Sequence, residues 1–353
     1  MRIWMRRTLA VVLVVTLLSG GSTASAAEIT ETIPIVTEPA AETLPPETLP
    51  EETVPEETVP EETQPHTYTV NTETEIYRLC EEMAAGMSYD QLLVYDATND
   101  EIFYADTREG DKLYPASVTK LFSAYVALQY LSPDDVIIAG DELKLVQPGS
   151  SVAYIGKWHT LYVRHLVEGM MLPSGNDAAI VLATAAGRRI AGDENLPPEE
   201  AVAAFVAEMN RMAEELGFEG SLFANPDGWH VGCHYTCLND MARIAKLALE
   251  DKTMSRYMRK FKDEVTLLSG HKVEWENTNL LLDPDDGFYR GDALGMKTGY
   301  TRQAEYCLMS AFKCHDGRKL VIGVFGYEDE RLRFREVVEL AKACKEQIRT
   351  ETE

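Results

Sequence analysis

Apolar residues in this chain follow two spacings, which divide it into strand-rich ends and a helical middle. Residues 91–95 and 102–105 are β-rich runs separated by a Thr-Asn-Asp turn signal, so they predict a hairpin. Residues 306–312 and 320–327 predict two more strands, joined across a His-Asp-Gly turn at 315–317. Strands at both ends predict a sheet assembled from distant parts of the chain.

The middle of the chain has helical spacing of its apolar residues. The predicted helices cover residues 163–186 with a break at Pro173, 201–216 and 238–249, and a last amphipathic helix covers 331–348. Together with the strands, they predict an α+β fold in which helices flank an antiparallel sheet and an adjoining helical region lies beside it.

Residues 1–26 are predicted to be a signal peptide. Three arginines precede an apolar run of about ten residues, and Ala24-Ser25-Ala26 provides a small-residue cleavage site. The alternative is a retained membrane anchor, which needs about 20 apolar residues. We therefore expect an exported protein, released outside the cell or held in the cell wall.

Residues 27–66 are predicted to be a disordered acidic linker rich in Pro, Glu and Thr. Glu-Glu-Thr-Val-Pro occurs twice, at 51–55 and 56–60, and prolines at short intervals prevent a core from forming. Residues 67–353 remain for a folded domain. The polar, acidic C-terminal residues predict no membrane anchor at that end.

The net charge of −25 narrows the range of partners. Thirteen glutamates and no Lys or Arg lie between Ala27 and Arg78, yet the chain from Arg78 onward still carries a formal charge of −15. So acidic a domain argues against binding nucleic acid or an anionic lipid surface.

Ser117 and Lys120 are the first candidate catalytic pair. They lie three residues apart, after Pro115 and directly before the apolar run 121–128, which predicts a helix N-terminus with both side chains on one face. A partly desolvated lysine can take the proton of a serine hydroxyl and make it nucleophilic. Roughly one Ser-x-x-Lys is expected by chance in a chain of this length. A second one, Ser269 to Lys272, lies in a predicted hairpin turn.

Two further motifs raise the specificity of the signal. Ser174-Gly175-Asn176 is a Ser-x-Asn, and Lys297-Thr298-Gly299 is a Lys-Thr-Gly. The three motifs in this order are the signature of penicillin-binding proteins and serine β-lactamases.

The flanking residues resemble those of D-alanyl-D-alanine carboxypeptidases among the low-molecular-mass penicillin-binding proteins, from about Ser88 to the chain end. The resemblance implies the β-lactamase/transpeptidase-like fold, with the site between the sheet and the helical region. Asp227 and Glu305 stand where the family often has histidine and glycine. Asp227 lies in a variable turn, so this departure puts little of the resemblance in doubt. Glu305 puts a charge near the end of the Lys-Thr-Gly strand, and its effect on substrate fit is open. The matching segments are residues 209–217, 223–228, 277–281 and 297–307.

The resemblance also implies a role for each candidate residue. Ser117 is the nucleophile, Lys120 the base and Ser174 a proton relay, whereas Asn176 binds a substrate amide. Lys297 supplies positive charge, and Thr298 and Gly299 belong to an edge strand that binds substrate. The backbone N–H groups of Ser117 and Tyr300 form an oxyanion hole, and Arg333 either assists carboxylate binding or is an ordinary surface charge.

The implied reaction is hydrolysis of the terminal D-Ala-D-Ala bond of peptidoglycan stem peptides through an acyl-enzyme. It requires no metal or organic cofactor, and β-lactam antibiotics should acylate the same serine. A D,D-endopeptidase, a serine β-lactamase and a non-catalytic peptidoglycan-binding module are the alternatives. The intact motifs argue against a binding module. The absence of a Glu-x-x-Leu-Asn sequence after the Ser-x-Asn motif argues against a β-lactamase of the commonest class.

Six cysteines in an exported chain permit disulfides. The resembled fold packs its first and last helices together, which suggests a Cys80–Cys344 pair. Two histidines and two cysteines within residues 230–237 are a candidate zinc site, but the ligands come from one short segment, so we favour no metal.

Overall fold

The computed structural model describes residues 70–108 and 110–352 of the 353-residue chain. The predicted signal peptide and linker lie outside the described residues. The strands are β1 (Gln91–Asp96), β2 (Glu101–Thr107), β3 (Val136–Ile138), β4 (Thr160–Tyr162), β5 (Lys262–Thr266), β6 (Lys272–Glu276), β7 (Ala293–Thr301), β8 (Glu305–Lys313) and β9 (Lys319–Tyr327). The α-helices are α1 (Glu75–Ala84), α2 (Lys120–Leu128), α3 (Val163–Met171), α4 (Asn176–Ala191), α5 (Pro198–Glu215), α6 (Leu238–Glu250), α7 (Lys252–Met258) and α8 (Glu330–Thr352).

The main sheet has five antiparallel strands in the order β2-β1-β9-β8-β7, so the predicted fold class is confirmed. The predicted hairpins are β1–β2 and β8–β9. Strand β1, from the first hairpin, pairs with β9 from the last, and Leu93 lies opposite Gly323. Strand β7 forms one edge of this sheet.

Both faces of the sheet are covered. Side chains of β1 alternate between the faces: Leu92 and Val94 belong to a core shared with α1 and α8, whereas Leu93 and Tyr95 belong to the core of the helical region. All six residues of β1 are buried, which explains why its four central residues, 92–95, form a continuous apolar run rather than alternating with polar ones.

Local sequence signals set the helix boundaries. The break predicted at Pro173 separates α3 from α4. Helix α4 ends at Gly192, whose φ of 69° is the left-handed conformation that glycine adopts readily. Helix α7 was not predicted, although Asp251 caps it by accepting a hydrogen bond from the Met254 backbone N–H (2.8 Å).

The second Ser-x-x-Lys lies in the β5–β6 hairpin, as predicted. Gly270, at its turn, has a φ of 84°, and Lys272 Nζ bonds with the cross-strand carboxylate of Glu264 (3.1 Å). An extended hairpin therefore holds this pair, and its lysine is engaged elsewhere.

Helices α1 and α8 pack side by side and bring two buried thiols together. Cys80 Sγ lies 3.6 Å from Cys344 Sγ, and both residues are present as free cysteines. The bridge itself stays a prediction. Within residues 70–108 and 110–352, no helix is both long and apolar enough to cross a bilayer.

Candidate active site

A cavity of about 580 Å³ lies where the helical region meets β7 and the start of α8. We call this cavity the cleft. It contains members of all three motifs together with residues from several loops and from α8. Its lining residues include Ser117, Ser150, Ser151, Ser174, Asn176, Asp227, Gly228, Thr278, Thr298, Gly299, Tyr300, Glu330 and Arg333.

Ser117 and Lys120 are within hydrogen-bond distance of each other. The predicted helix begins with a 3₁₀ turn, Ala116–Thr119, before α2 starts at Lys120. In a 3₁₀ turn, residues three apart are nearly eclipsed, which places the lysine amine directly over the serine. Lys120 Nζ lies 2.9 Å from Ser117 Oγ. Ala116 has a φ of 47°, a strained conformation for a residue with a Cβ.

Lys120 is completely buried, and its amine is held by three oxygen atoms. Besides Ser117, it contacts Asn176 Oδ1 (2.7 Å) and the backbone carbonyl of Asp227 (2.6 Å). Burial lowers the pKa of Lys120 to about 8, and the carboxylates of Asp227 and Asp177 oppose this shift. The amine is therefore poised to exchange a proton near neutral pH.

Asp227, one of the two residues that depart from the family pattern, lies next to Lys120. Its side chain is buried at the cleft, and its carboxylate is the larger of the two that raise the pKa of Lys120. Asp227 Oδ1 also accepts a hydrogen bond from the Trp229 backbone N–H (3.0 Å). This turn is thus part of the environment of Lys120, through both a main-chain carbonyl and a charge.

The Ser-x-Asn motif forms the wall opposite Ser117. Asn176 Nδ2 donates to Ser150 Oγ (3.0 Å), and Ser151 Oγ donates to the carbonyl of Ser174 (2.8 Å). Ser174 is buried with a φ of 62°, so a constrained turn holds it.

Asp177, next to this motif, fixes the adjacent loop. Its buried carboxylate accepts hydrogen bonds from the backbone N–H groups of Ala153 (2.7 Å) and Ile155 (2.9 Å). Since Ser150 and Ser151 belong to the same loop, this carboxylate also helps to position their hydroxyls.

The Lys-Thr-Gly motif lies on edge strand β7. Lys297 is buried, and its Nζ donates to the carbonyl of Thr298 (3.1 Å). Burial is the main cause that lowers the pKa of Lys297 well below its usual value, and the positive charges of Lys120 and Arg333 lower it further. These surroundings consequently disfavour the charged form of Lys297.

Thr298 has a partner that sequence reasoning missed. Its Oγ1 lies 2.5 Å from Thr278 Oγ1, and both side chains line the cleft. Thr278 belongs to the segment 277–281, which resembles the family but for which the resemblance implies no role. The pair presents two hydroxyls side by side.

Two glycines allow β7 and the turn at Asp227 to approach the backbone of Ser117. A Cβ on Gly299 would lie 3.3 Å from the Ser117 backbone nitrogen and 2.9 Å from the carbonyl of Pro115. A Cβ on Gly228 would lie 1.8 Å from the carbonyl of Ala116, which is impossible without movement. Any side chain here would push the strand or turn away from the serine.

Arg333 is not a surface charge, which removes one of the two alternatives left open for it. It is only 3% exposed, and its Nη1 donates to the carbonyls of Cys307 (2.7 Å) and Gly299 (3.2 Å). Its Nε is buried without a hydrogen-bond partner among the described residues. Arg333 braces β7 and brings a cation to the cleft.

Tyr300 follows the motif and is 57% exposed at the cleft, where its ring lies 4.5 Å from that of Tyr306. Glu305, which replaces the usual glycine, has a φ of 51°. This is the left-handed region that glycine adopts without strain.

The candidate zinc segment is engaged in other contacts. His234 Nε2 lies 2.8 Å from Thr119 Oγ1, and His234 Nδ1 accepts a hydrogen bond from the Ala224 backbone N–H (3.1 Å). His234 thus supports the residue next to Lys120. Among the described residues, no group of His, Cys, Asp and Glu side chains is arranged to hold a metal ion.

The sequence and the fold have clear relatives. Residues 80–328 match the model of the family described as D-alanyl-D-alanine carboxypeptidase (peptidase S11), and the chain belongs to this family. It is similar to D-alanyl-D-alanine carboxypeptidase DacF of Bacillus subtilis, with 30% identity over 234 residues, which are 65% of this chain and 55% of that protein. The D-alanyl-D-alanine carboxypeptidase of Streptomyces sp. strain K15 is 31% identical over 230 residues, 62% of this chain and 72% of that one.

Solved structures agree on the fold. The crystal structure of the Streptomyces K15 DD-transpeptidase has a TM-score of 0.64 at 24% identity and covers 73% of this chain and 97% of that one. The crystal structure of D-alanyl-D-alanine carboxypeptidase DacD from Francisella tularensis has a TM-score of 0.61 at 26% identity and covers 73% of this chain and 70% of that one. The chain spans about half the length of DacF and of the Escherichia coli carboxypeptidase DacC.

Proposed function

We propose that this protein is a serine D-Ala-D-Ala carboxypeptidase that removes the terminal D-alanine from peptidoglycan stem peptides through an acyl-enzyme. One observation carries the proposal: the completely buried amine of Lys120 lies between Ser117 Oγ and Asn176 Oδ1 in the cleft. The name shared by the family and its curated relatives supports the substrate class.

In the acylation step, the neutral amine of Lys120 takes the proton from Ser117 Oγ as this oxygen attacks the carbonyl carbon of the penultimate D-alanine. The oxyanion accepts hydrogen bonds from the backbone N–H groups of Ser117 and Tyr300. When the C–N bond breaks, the proton passes to the leaving amine with Ser174 as relay, and D-alanine departs. Water then attacks the ester, and the proton that this water gives up returns to Ser117 Oγ.

Substrate binding uses the free edge of β7. An extended peptide adds to an exposed sheet edge through main-chain hydrogen bonds. The terminal carboxylate of the substrate then meets the hydroxyls of Thr298 and Thr278, with the cations of Lys297 and Arg333 behind them. A bound carboxylate also offsets the burial that lowers the pKa of Lys297, which favours its charged form.

Ser117→Ala should abolish labelling by a fluorescent penicillin while the fold survives. Lys120→Ala should slow labelling by about 10²-fold or more, the range for loss of a general base. Ser269→Ala, in the hairpin pair, is the matched control and should label normally. Normal labelling of the Ser117 variant would overturn the assignment of the nucleophile.

Mass spectrometry with three substrates separates the proposed activity from its alternatives. The proposal predicts release of D-alanine from a stem pentapeptide, little cleavage of a cross-linked dimer, and a lasting adduct with benzylpenicillin. Preferred cleavage of the dimer would identify an endopeptidase, and rapid turnover of benzylpenicillin a β-lactamase. Absence of any covalent adduct would leave a binding module.

We also propose that residues 1–26 direct export, that 27–66 is a spacer and that 67–353 is the catalytic domain. The apolar run and cleavage site support release at Ala27. N-terminal sequencing tests this: mature protein should begin at Ala27. Membrane-bound protein that still begins at Met1 would identify an anchor instead.

A further inference from the structure

A second cavity, of about 590 Å³, lies at the opposite end of β7 from the cleft. We call it the basic pocket. It is formed by the first residues of β7, the end of β8 and the C-terminal half of α8. Ala293 at this pocket and Gly299 at the cleft are separated by six residues of strand, about 20 Å. The two cavities are thus distinct sites.

The basic pocket differs sharply in charge from the rest of the chain. The carboxylates at its wall are Asp292 and Glu346. The cations at its wall are Arg259, Arg290, Lys313, Lys342, Lys345 and Arg349. An excess of four positive charges is thus gathered in one cavity of a chain whose net charge is −25.

Internal ion pairs neutralise this pocket only in part. Asp292 contacts both Arg290 (3.2 Å) and Lys345. Arg349 pairs with Glu346, and Lys342 pairs with Glu339 (2.8 Å) one turn earlier on α8. By contrast, Arg259 and Lys313 are exposed and form no ion pair within the part of the chain that the structure describes. Same-sign charges that face one cavity repel each other, so the arrangement favours occupation by an anion.

The spacing of the cations indicates an extended ligand. Lys342, Lys345 and Arg349 lie at positions i, i+3 and i+7 of α8, and therefore share one face over about 10 Å of helix. Lys313 and Arg259 approach from other elements. Phosphate suits this arrangement, because its oxygens accept hydrogen bonds from several directions, whereas a planar carboxylate is satisfied by one arginine fork.

We propose that the basic pocket binds a linear polyanion whose charges are phosphate groups. The proposal does not depend on the catalytic assignment, because the pocket is separate from the cleft. The protein would thereby hold a phosphate polymer on one end of β7 while the cleft at the other end stays open. The strongly acidic remainder of the chain restricts such a ligand to this region.

Binding of fluorescent polyphosphate to the full chain, followed by anisotropy across a salt series, tests the proposal. We expect binding that weakens as salt rises. The triple variant Arg259→Gln, Lys313→Gln, Lys342→Gln should bind at least about tenfold more weakly at low salt, with a salt slope shallower by about 2. These side chains are exposed, so the fold and penicillin labelling should be unchanged.

The control removes three exposed lysines elsewhere, Lys144→Gln, Lys262→Gln and Lys272→Gln, and thus changes the net charge equally. It should bind polyphosphate almost as tightly as the unmodified chain. An equal loss in both triple variants, or no binding by the unmodified chain, would overturn the proposal. Equally tight binding of poly-glutamate would overturn the phosphate assignment, and equally tight binding of inorganic phosphate would overturn the extended ligand.

Discussion

Acylation of Ser117 should depend on pH through the ionisation of Lys120. Only the neutral amine can accept the serine proton, and burial lowers the pKa of this amine to about 8. The rate constant for acylation should therefore rise about tenfold per pH unit below pH 8 and become constant above it. Stopped-flow measurement with a fluorescent penicillin between pH 6 and 10 gives this profile.

The magnitude follows from the shift in the pKa. At pH 7, a lysine with a pKa of about 8 is neutral in roughly one molecule in ten, whereas one at its ordinary value of 10.5 is neutral in roughly one in 3000. Burial thus increases the population of competent base about 300-fold. The net gain in rate is smaller, since a weaker base accepts the proton less readily.

Asp227→Asn is the sharper perturbation. The Asp227 carboxylate raises the pKa of Lys120, so its neutralisation should move the midpoint of the profile to lower pH. Asparagine keeps an oxygen that can accept from the Trp229 N–H, and the main-chain carbonyl to Lys120 is unaltered. A profile that is flat from pH 6 to 9, or a midpoint unchanged by this substitution, would refute the reasoning. A profile that persists in Lys120→Ala would point to Lys297 as the base.

Three further substitutions or measurements test other features. Glu305→Gly should raise the free energy of unfolding by about 1 kcal/mol, because glycine adopts the left-handed φ of this residue without strain. The matched control Glu305→Ala should give no such gain, and equal gains in both variants would implicate the loss of the Glu305 charge instead. Thr278→Val should slow acylation by a carboxylate-bearing penicillin about 2- to 10-fold, the value of one neutral hydrogen bond, and an unchanged rate would leave Thr298 acting alone. Non-reducing peptide mapping of exported protein should recover Cys80 linked to Cys344, and two alkylatable thiols there would exclude the bridge.

Most helices and strands of the fold could be predicted because short stretches of sequence determine where they begin and end. The apolar runs of β1, β8 and β9, the break at Pro173 and the turn glycines each act within a few residues. Helix α7 has only seven residues, too few for periodicity to separate it from α6, and its Asp251 cap was the available signal.

Parts of the site escaped prediction because they depend on tertiary contacts. The carbonyl that binds Lys120 belongs to Asp227, but any residue type supplies a carbonyl, so the sequence carries no trace of it. Thr278, in the segment that follows β6, meets Thr298 only after β7 has folded against that segment. The burial of Arg333 likewise depends on how α8 packs against β8. From the sequence alone, a residue near the start of an amphipathic helix is equally compatible with an exposed position.

The pairing of β1 with β9 has a consequence for the order in which the molecule matures. A ribosome makes β1 about 230 residues before its neighbour, and β7, which carries Tyr300, is also made late. The helices α2 to α7 are made between β1 and β7. A nascent or truncated chain that ends before β7 therefore has the Ser117–Lys120 turn but lacks the strand that carries Tyr300. The cleft, which takes part of its wall from β7 and from α8, is therefore complete only after both of these late elements have been made.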